Sequence, residues 1–240
     1  MRAIRASSMV LSVGLCCTLS ARARAQSDEP SPTARGPAVP APSNAFELGI
    51  NAAYTQPFGL VWDDTDISSI INAGGGVTLD LGYRAIPSFS ISAAVHFHES
   101  TADTSIGVAN DFRGGAATLH ATYHFLPYEV VDPWVSLGSG YRLLWSIFRG
   151  ADNDHFTHGV QAVRVLAGID FRTTRDAAIG PFIGGDVNVM LFDQVQGGDT
   201  TRISPAVNTF VTAGAMGRFD IGGSRTVPGA TVTKRHASAD

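Results

Sequence analysis

Between Phe46 and Ile221 apolar residues recur at every second position. Period two is the spacing of side chains leaving one face of a β-strand, whereas an amphipathic helix repeats near 3.6. Eight segments carry the pattern. The first three apolar sets are Phe46, Leu48, Ile50, Ala52 and Tyr54; Val77, Leu79, Leu81 and Tyr83; and Phe89, Ile91, Ala93, Val95 and Phe97. The next three are Ala117, Leu119, Ala121, Tyr123 and Phe125; Val135, Leu137, Tyr141, Leu143, Trp145 and Ile147; and Val163, Val165, Ala167, Ile169 and Phe171. The last two are Ile179, Ile183, Val187, Val189 and Leu191, then the weakest, Val207, Val211, Ala213, Ala215, Phe219 and Ile221. Several segments run 10 to 14 residues. That exceeds the usual strand of about 5–6 residues and suits the roughly 9–11 that a tilted strand needs to cross a bilayer.

The connections alternate in length. Long polar loops are predicted near 56–73, 98–114, 148–158 and 193–205, and short turns at 85–87, 126–132 and 173–176. An even number of strands with long loops at one end and short turns at the other predicts an all-β fold, an eight-stranded antiparallel up-and-down transmembrane barrel. The apolar face carries no charge in any of the eight segments, and on a lipid face Arg or Lys costs about 2–4 kcal/mol at the midplane. The opposite face is mainly Gly, Ala, Ser, Thr and His, as in Gly49, Asn51, Ala53 or Ser136, Gly138, Gly140. Small residues suit eight strands, which leave just enough lumen for side chains to fill. Aromatic residues gather at both ends of the apolar face. Phe46, Tyr83, Phe89, Tyr123, Phe125, Phe171 and Phe219 lie toward the short turns, and Tyr54, Phe97 and Trp145 toward the long loops, as in two interfacial girdles. The alternative architecture is a soluble, periplasmic lipocalin-like barrel. Such a barrel coats its surface with Lys and Glu, but the one lysine here, Lys234, is in the tail, and the eight segments hold a single glutamate, Glu47.

In this pattern, and through no diagnostic motif, the chain from Phe46 to Ile221 resembles the eight-stranded outer-membrane proteins of the OmpA/OmpX/OmpW type. The resemblance implies residence in the bacterial outer membrane. It also implies outer-membrane lipid and lipopolysaccharide, and the barrel-insertion machinery, as partners. One departure stands out. Such barrels often end at an aromatic residue that the insertion machinery reads, whereas Phe219 is followed by 21 further residues.

The ends agree with export. Arg2 and Arg5 precede an apolar run from Met9 to Leu19, and Ala23-x-Ala25 is a cleavage site, so residues 1–25 read as a signal peptide. Cleavage there removes both cysteines, Cys16 and Cys17. Residues 26–43 hold five prolines and read as a disordered linker. The barrel is expected over 44–221 and a flexible tail over 222–240. Without the four arginines of the signal peptide, 13 basic residues face 21 acidic ones. That net charge of −8 argues against nucleic acid as a partner.

Strand parity names the lumen. Asp80, Arg142, Arg164 and Asp186 are expected in its middle and upper half; Glu47, Arg84, Asp170, Arg172 and Arg218 cluster at the periplasmic mouth. Four acids and five bases allow pairing, without which buried charge is costly. His96, His98, His120 and His124 also point inward. Pairing that sets His98 near Ala116 makes His96 and His120 diagonal neighbours about 7–8 Å apart. Four imidazoles so spread cannot share one tetrahedral zinc. Only the His96–His120 diagonal with a lumenal carboxylate has any claim to metal, and no metal or other cofactor is expected. "HES" at 98–100 invites comparison with lipid A-modifying barrels, but His98 faces the lumen and no base–nucleophile set is visible. The long loops carry ten acids, among them "DDTD" (63–66) and "DND" (152–154). They lack the spacing of a calcium loop and read as a solvated rim, open to divalent cations that bridge lipopolysaccharide phosphates. The expected role is structural or surface interaction, with no enzymatic activity. A narrow passive pore and an envelope-lipid-modifying enzyme are the alternatives.

Overall fold

The computed structural model describes residues 40–62, 64–102, 110–148 and 154–225. The segment read as a signal peptide, most of the linker, the tail from 226, and the loop residues Asp63, Asp103, Arg149 and Asp152 lie outside the described residues. Eight long antiparallel strands follow one another: β1 Ala45–Trp62, β2 Ile71–Ile86, β3 Phe89–Ala102, β4 Asn110–His124, β5 Val131–Phe148, β6 His155–Arg172, β7 Ala177–Val195 and β8 Thr201–Ile221. Each pairs with the next, and β8 closes on β1 from Phe46↔Ile221 to Gly59↔Asn208. Closure pairs every strand on both sides and leaves no open edge.

The register fixes the barrel's shape. Stepping across the ladder from Phe46 passes Tyr83, Ile91, Ala121, Leu137, Val165, Gly185 and Val211, and returns to β1 at Gln56. The shear is therefore ten residues over eight strands. With strands ~4.8 Å apart and ~3.3 Å of rise per residue, this tilts them by about 40°.

Burial alternates as the sequence pattern requires, with the apolar set outside. Phe46 and Leu119 are each 67 % exposed and Val95 is 65 % exposed, while their neighbours Glu47, Thr118 and His96 are buried. Water does not tolerate a continuous band of this kind, but the hydrocarbon of a bilayer does. The barrel is thus built for a membrane, and the soluble lipocalin-like alternative falls on its own surface.

Three expectations need correction. The strands are 14 to 21 residues long, so most of three of the four predicted long loops, near 56–73, 98–114 and 193–205, is strand that continues beyond the apolar band. Glu99 and Arg113 accordingly sit on β3 and β4, exposed and paired at 3.2 Å, and the outer face of the extended strands does carry charge. The segment with the weakest alternation, β8, is the longest strand, because pairing with β1 and β7 on its two sides supplies what its glycine-interrupted pattern lacks. A two-residue strand, Thr65–Asp66, folds back on the end of β1. A 3-10 turn, Ile67–Ser69, follows it, with Asp66 accepting from the Ser68 N–H at 2.8 Å. At the short-turn end Ala41 N–H donates to Pro127 O at 2.7 Å, and Ser43 and Ser224 exchange backbone bonds of 2.8 and 2.9 Å.

Candidate functional site: a layered lumen and its outer wall

All thirteen residues predicted to line the lumen point inward, and they separate into layers. At the short-turn mouth Arg84 donates to Glu47 Oε2 from Nε (3.1 Å) and Nη2, and to Pro87 O at 2.9 Å. Arg172 Nη1 reaches Asp220 Oδ2 at 2.9 Å, and Arg218 Nη1 reaches Asp170 Oδ2 at 3.1 Å. Arg218 Nη1 also donates to His124 Nε2 at 3.0 Å. Arginine offers no acceptor, so the His124 proton sits on Nδ1 and is donated to Asp132 Oδ2 at 2.8 Å. Asp132, Asp220 and Trp134 complete this network. Asp220 and Trp134 share the inward parity of Arg218 and Ser136, and that signal was available. Asp132 was assigned to a turn, but β5 begins one residue before it. Paired and hydrogen-bonded in this way, the buried charges escape the desolvation cost of isolated ones.

Above the mouth lies an apolar layer of Trp134, Leu166, Phe182 and Met216, with Ala53. Beside it His120 Nε2 meets Asp80 Oδ1 at 3.2 Å. The middle of the lumen is polar again. Arg142 Nη2 donates to both Asp186 oxygens at 2.8 Å, and Asn188 Nδ2 bridges Asp186 (2.6 Å) and Asn208 (3.0 Å). Arg164 is the cross-strand partner of Asp186. Thr118 donates to Gln161 at 2.6 Å.

The long-loop half is not polar, contrary to the small, hydrophilic lumen expected there. Phe112, Leu144, Met190 and Phe210 point inward from four strands. Val61 at the end of β1, Ile67 and Ile70 in the turn, and Ile71 at the start of β2 fold over them into one buried apolar cluster. Burial there takes the apolar surface of the three isoleucines out of water. At the lip beyond, His155 Nδ1 meets Asp193 Oδ2 at 2.7 Å, Thr157 donates to the other oxygen at 2.9 Å, and Trp62 stacks on the imidazole at 4.3 Å.

The histidines do not form the expected diagonal. His98 pairs with Gly114, His96 with Ala116 and His120 with Ser92. His96 and His120 are thus four residues apart along the ladder, about 13 Å. A register shift of two residues keeps every side chain on its face, so alternation alone could not reveal it. His96 Nδ1 bonds Thr78 Oγ1 at 2.9 Å. His98 lies between Phe112 and Phe210, with centroid distances of 6.0 and 5.2 Å. Among the described residues no group of three or more His, Cys, Asp or Glu is placed to hold a metal ion. In the acidic rim Asp66, Asp154 and Asp193 spend their carboxylates on donors of the chain itself.

Two bulges change which face a residue takes. Gln161 pairs with Asn188, and Val163 with Val187, so Ala162 is the extra residue in β6; Leu191 plays the same part in β7. Beyond Ala162 the odd residues turn inward and His158 turns out. There it bonds Tyr141 Oη at 2.6 Å and stacks on Phe192 at 5.2 Å, in a stretch predicted to be a loop.

No protein-family model matches the chain, and no curated protein matches it. Solved structures do. The outer membrane protein OprG from Pseudomonas aeruginosa is similar over 76 % of this chain and 99 % of that one, at 11 % identity and a TM-score of 0.52. The chain has the fold of an eight-stranded outer-membrane barrel. Neisserial surface protein A (16 % identity, 71 % and 95 % covered, TM-score 0.48) and Ail of Yersinia pestis (13 %, 74 % and 99 %, TM-score 0.44) are also similar. With the apolar band around it, the outer-membrane barrel lies in the bacterial outer membrane. Barrels of this class turn their short connections to the periplasm, so the ion-pair network lies at the periplasmic mouth and the apolar plug at the cell surface.

Proposed function

We propose that this outer-membrane barrel is a closed structural barrel that acts through its outer surface and not as a conduit. The observation that carries the reading is the buried apolar cluster across the outer half of the lumen, formed by Phe112, Leu144, Met190 and Phe210 under Ile67, Ile70 and Ile71. A water-filled pathway has polar walls, and an apolar plug that shuts out water is a barrier to ions. Below it, Trp134, Leu166, Phe182 and Met216 form a second apolar layer, and the mouth charges are spent on one another. What remains accessible is the outside: strands that continue past the apolar band and the lip around Trp62 and His155. Lipopolysaccharide at that surface and the insertion machinery at assembly are the partners this reading names. Planar-bilayer recording of the purified barrel tests it. Silence under applied voltage is the expected result, and reproducible single-channel steps would sink the proposal.

A further inference from the structure

The outward surface of the barrel carries an imidazole at the level of the outer headgroups, near the exposed Glu99–Arg113 pair. His158 reaches it because the bulge at Ala162 reverses the parity of β6. At that level an ionisable side chain costs little and can meet the phosphates and sugars of lipid headgroups. Its height follows from the fold. It pairs with Leu143, which lies twelve residues up β5 from Val131 at the periplasmic mouth. At ~3.3 Å per residue and a tilt near 40°, that is about 30 Å, just above an apolar band of about 25 Å.

The surroundings of His158 are built. Tyr141 Oη bonds its Nδ1 at 2.6 Å. Phe156 and Phe192 pack on its ring at 5.1 and 5.2 Å, and Trp145 stacks on Phe156 at 5.1 Å. Arg113, half exposed, is the cross-strand neighbour of Trp145. Directly above, a cavity of about 310 Å³ opens between the ends of β5, β6 and β7, lined by Trp145, Ile147, Asp154, Phe156, Gln194 and Gln196 among others. One wall therefore rises continuously from lipid-facing aromatics through an imidazole and a guanidinium to a pocket with amide and carboxylate groups. Aromatic faces stack on sugar rings, amides and carboxylates bond hydroxyls, and His with Arg takes phosphate oxygens.

We infer that this wall of β4–β7 binds the phosphorylated sugar headgroup of an outer-leaflet glycolipid, with the sugar in the cavity and the phosphate toward His158 and Arg113. The continuity of the site with the lipid-facing band selects a membrane-anchored ligand over a soluble glycan. The inference deepens the reading of a surface-acting barrel, and rests on it, by naming the partner and its place.

The test is native mass spectrometry of the detergent-purified full-length protein titrated with lipopolysaccharide, with phosphatidylglycerol as the sugar-free arm. Wild type should retain one lipopolysaccharide. His158→Leu and Trp145→Leu should each weaken retention about tenfold, the loss of one charge-assisted or stacking contact. Val77→Ala, on β2 and four strands from β6 in the closed ring, should not. Heat-modifiable migration confirms that each variant folds, and Tyr141→Phe and Gln194→Leu serve where one does not. Equal retention in all variants, or no retention by wild type, overturns the site. Displacement of lipopolysaccharide by an equal concentration of phosphatidylglycerol also overturns it, because a phosphate surface without sugar recognition would be what was measured. None of these outcomes bears on the conductance result, so the closed barrel and the glycolipid site fail separately.

Discussion

Arg218 lies with its guanidinium carbon 4.2 Å from the ring centroid of Trp134, and the two side chains share one carboxylate. Arg218 Nη1 donates to Asp170 Oδ2 at 3.1 Å and Trp134 Nε1 to Asp170 Oδ1 at 2.9 Å. Three strands, β5, β6 and β8, are tied by this triangle at the depth where the polar mouth gives way to the apolar layer. Removing the cation leaves a buried carboxylate with one neutral donor. Arg218→Met should destabilise the barrel by about 3–5 kcal/mol, read by urea unfolding in micelles with tryptophan emission. Adding Asp170→Asn should recover part of the loss, since contacting residues couple by roughly 0.5–3 kcal/mol.

Gly114 sits opposite His98, and its missing side chain is what lets the imidazole lie flat in the lumen. A Cβ on residue 114 would collide with three ring atoms of His98. The ring has little room to retreat between His96, Phe112 and Phe210. Gly114→Ala should therefore cost about 1–3 kcal/mol, the range for overpacking. His98→Ala in the same chain should remove most of that cost in the same unfolding assay.

The bulge at Ala162 sets which face the outer third of β6 presents. Deleting Ala162 would turn His158 inward and pull Gln161 away from Thr118. Hydrogen exchange should show lost protection over 155–161 with protection kept over 164–172. Uniform protection along β6 would mean the bulge is not what sets the faces.

Phe210 closes the plug from β8. Its ring lies 4.3 Å under the Arg142 guanidinium and 5.2 Å from His98. Phe210→Ala should cost about 3–5 kcal/mol, measured by unfolding. In planar bilayers Ile67→Asp, which puts a charge into the same cluster, should give channel events where wild type gives none.

Much of this was legible in the alternation. Strand number and the inward parity of residues from Glu47 to Arg218 follow from period two and from the absence of charge on one face. Three features were not legible, each for a physical reason. The pairing of His98 with Gly114 instead of Ala116 preserves parity, so only the geometry of the β3–β4 connection fixes it. Bulges at Ala162 and Leu191 insert one residue into a strand, and no composition signal marks either. The apolar plug comes from Leu144, Met190 and Phe210, which alternate correctly but stand in sequence beside outward residues just as apolar. A lumen can be closed by hydrophobic as well as by polar side chains, and alternation reports the face of a residue without its depth.

The central claim is that the apolar face of each strand meets lipid while the other face fills the lumen. The described residues contain no cysteine, so single cysteines with nitroxide labels can be placed at Ile91, Ser92, Ala93, Ala94 and Val95 in turn, in bilayer-reconstituted barrel. Labels at 91, 93 and 95 should be relaxed strongly by oxygen and hardly by a water-soluble nickel chelate, and labels at 92 and 94 weakly by both. Strong relaxation by the nickel chelate at 91, 93 and 95 would contradict the account.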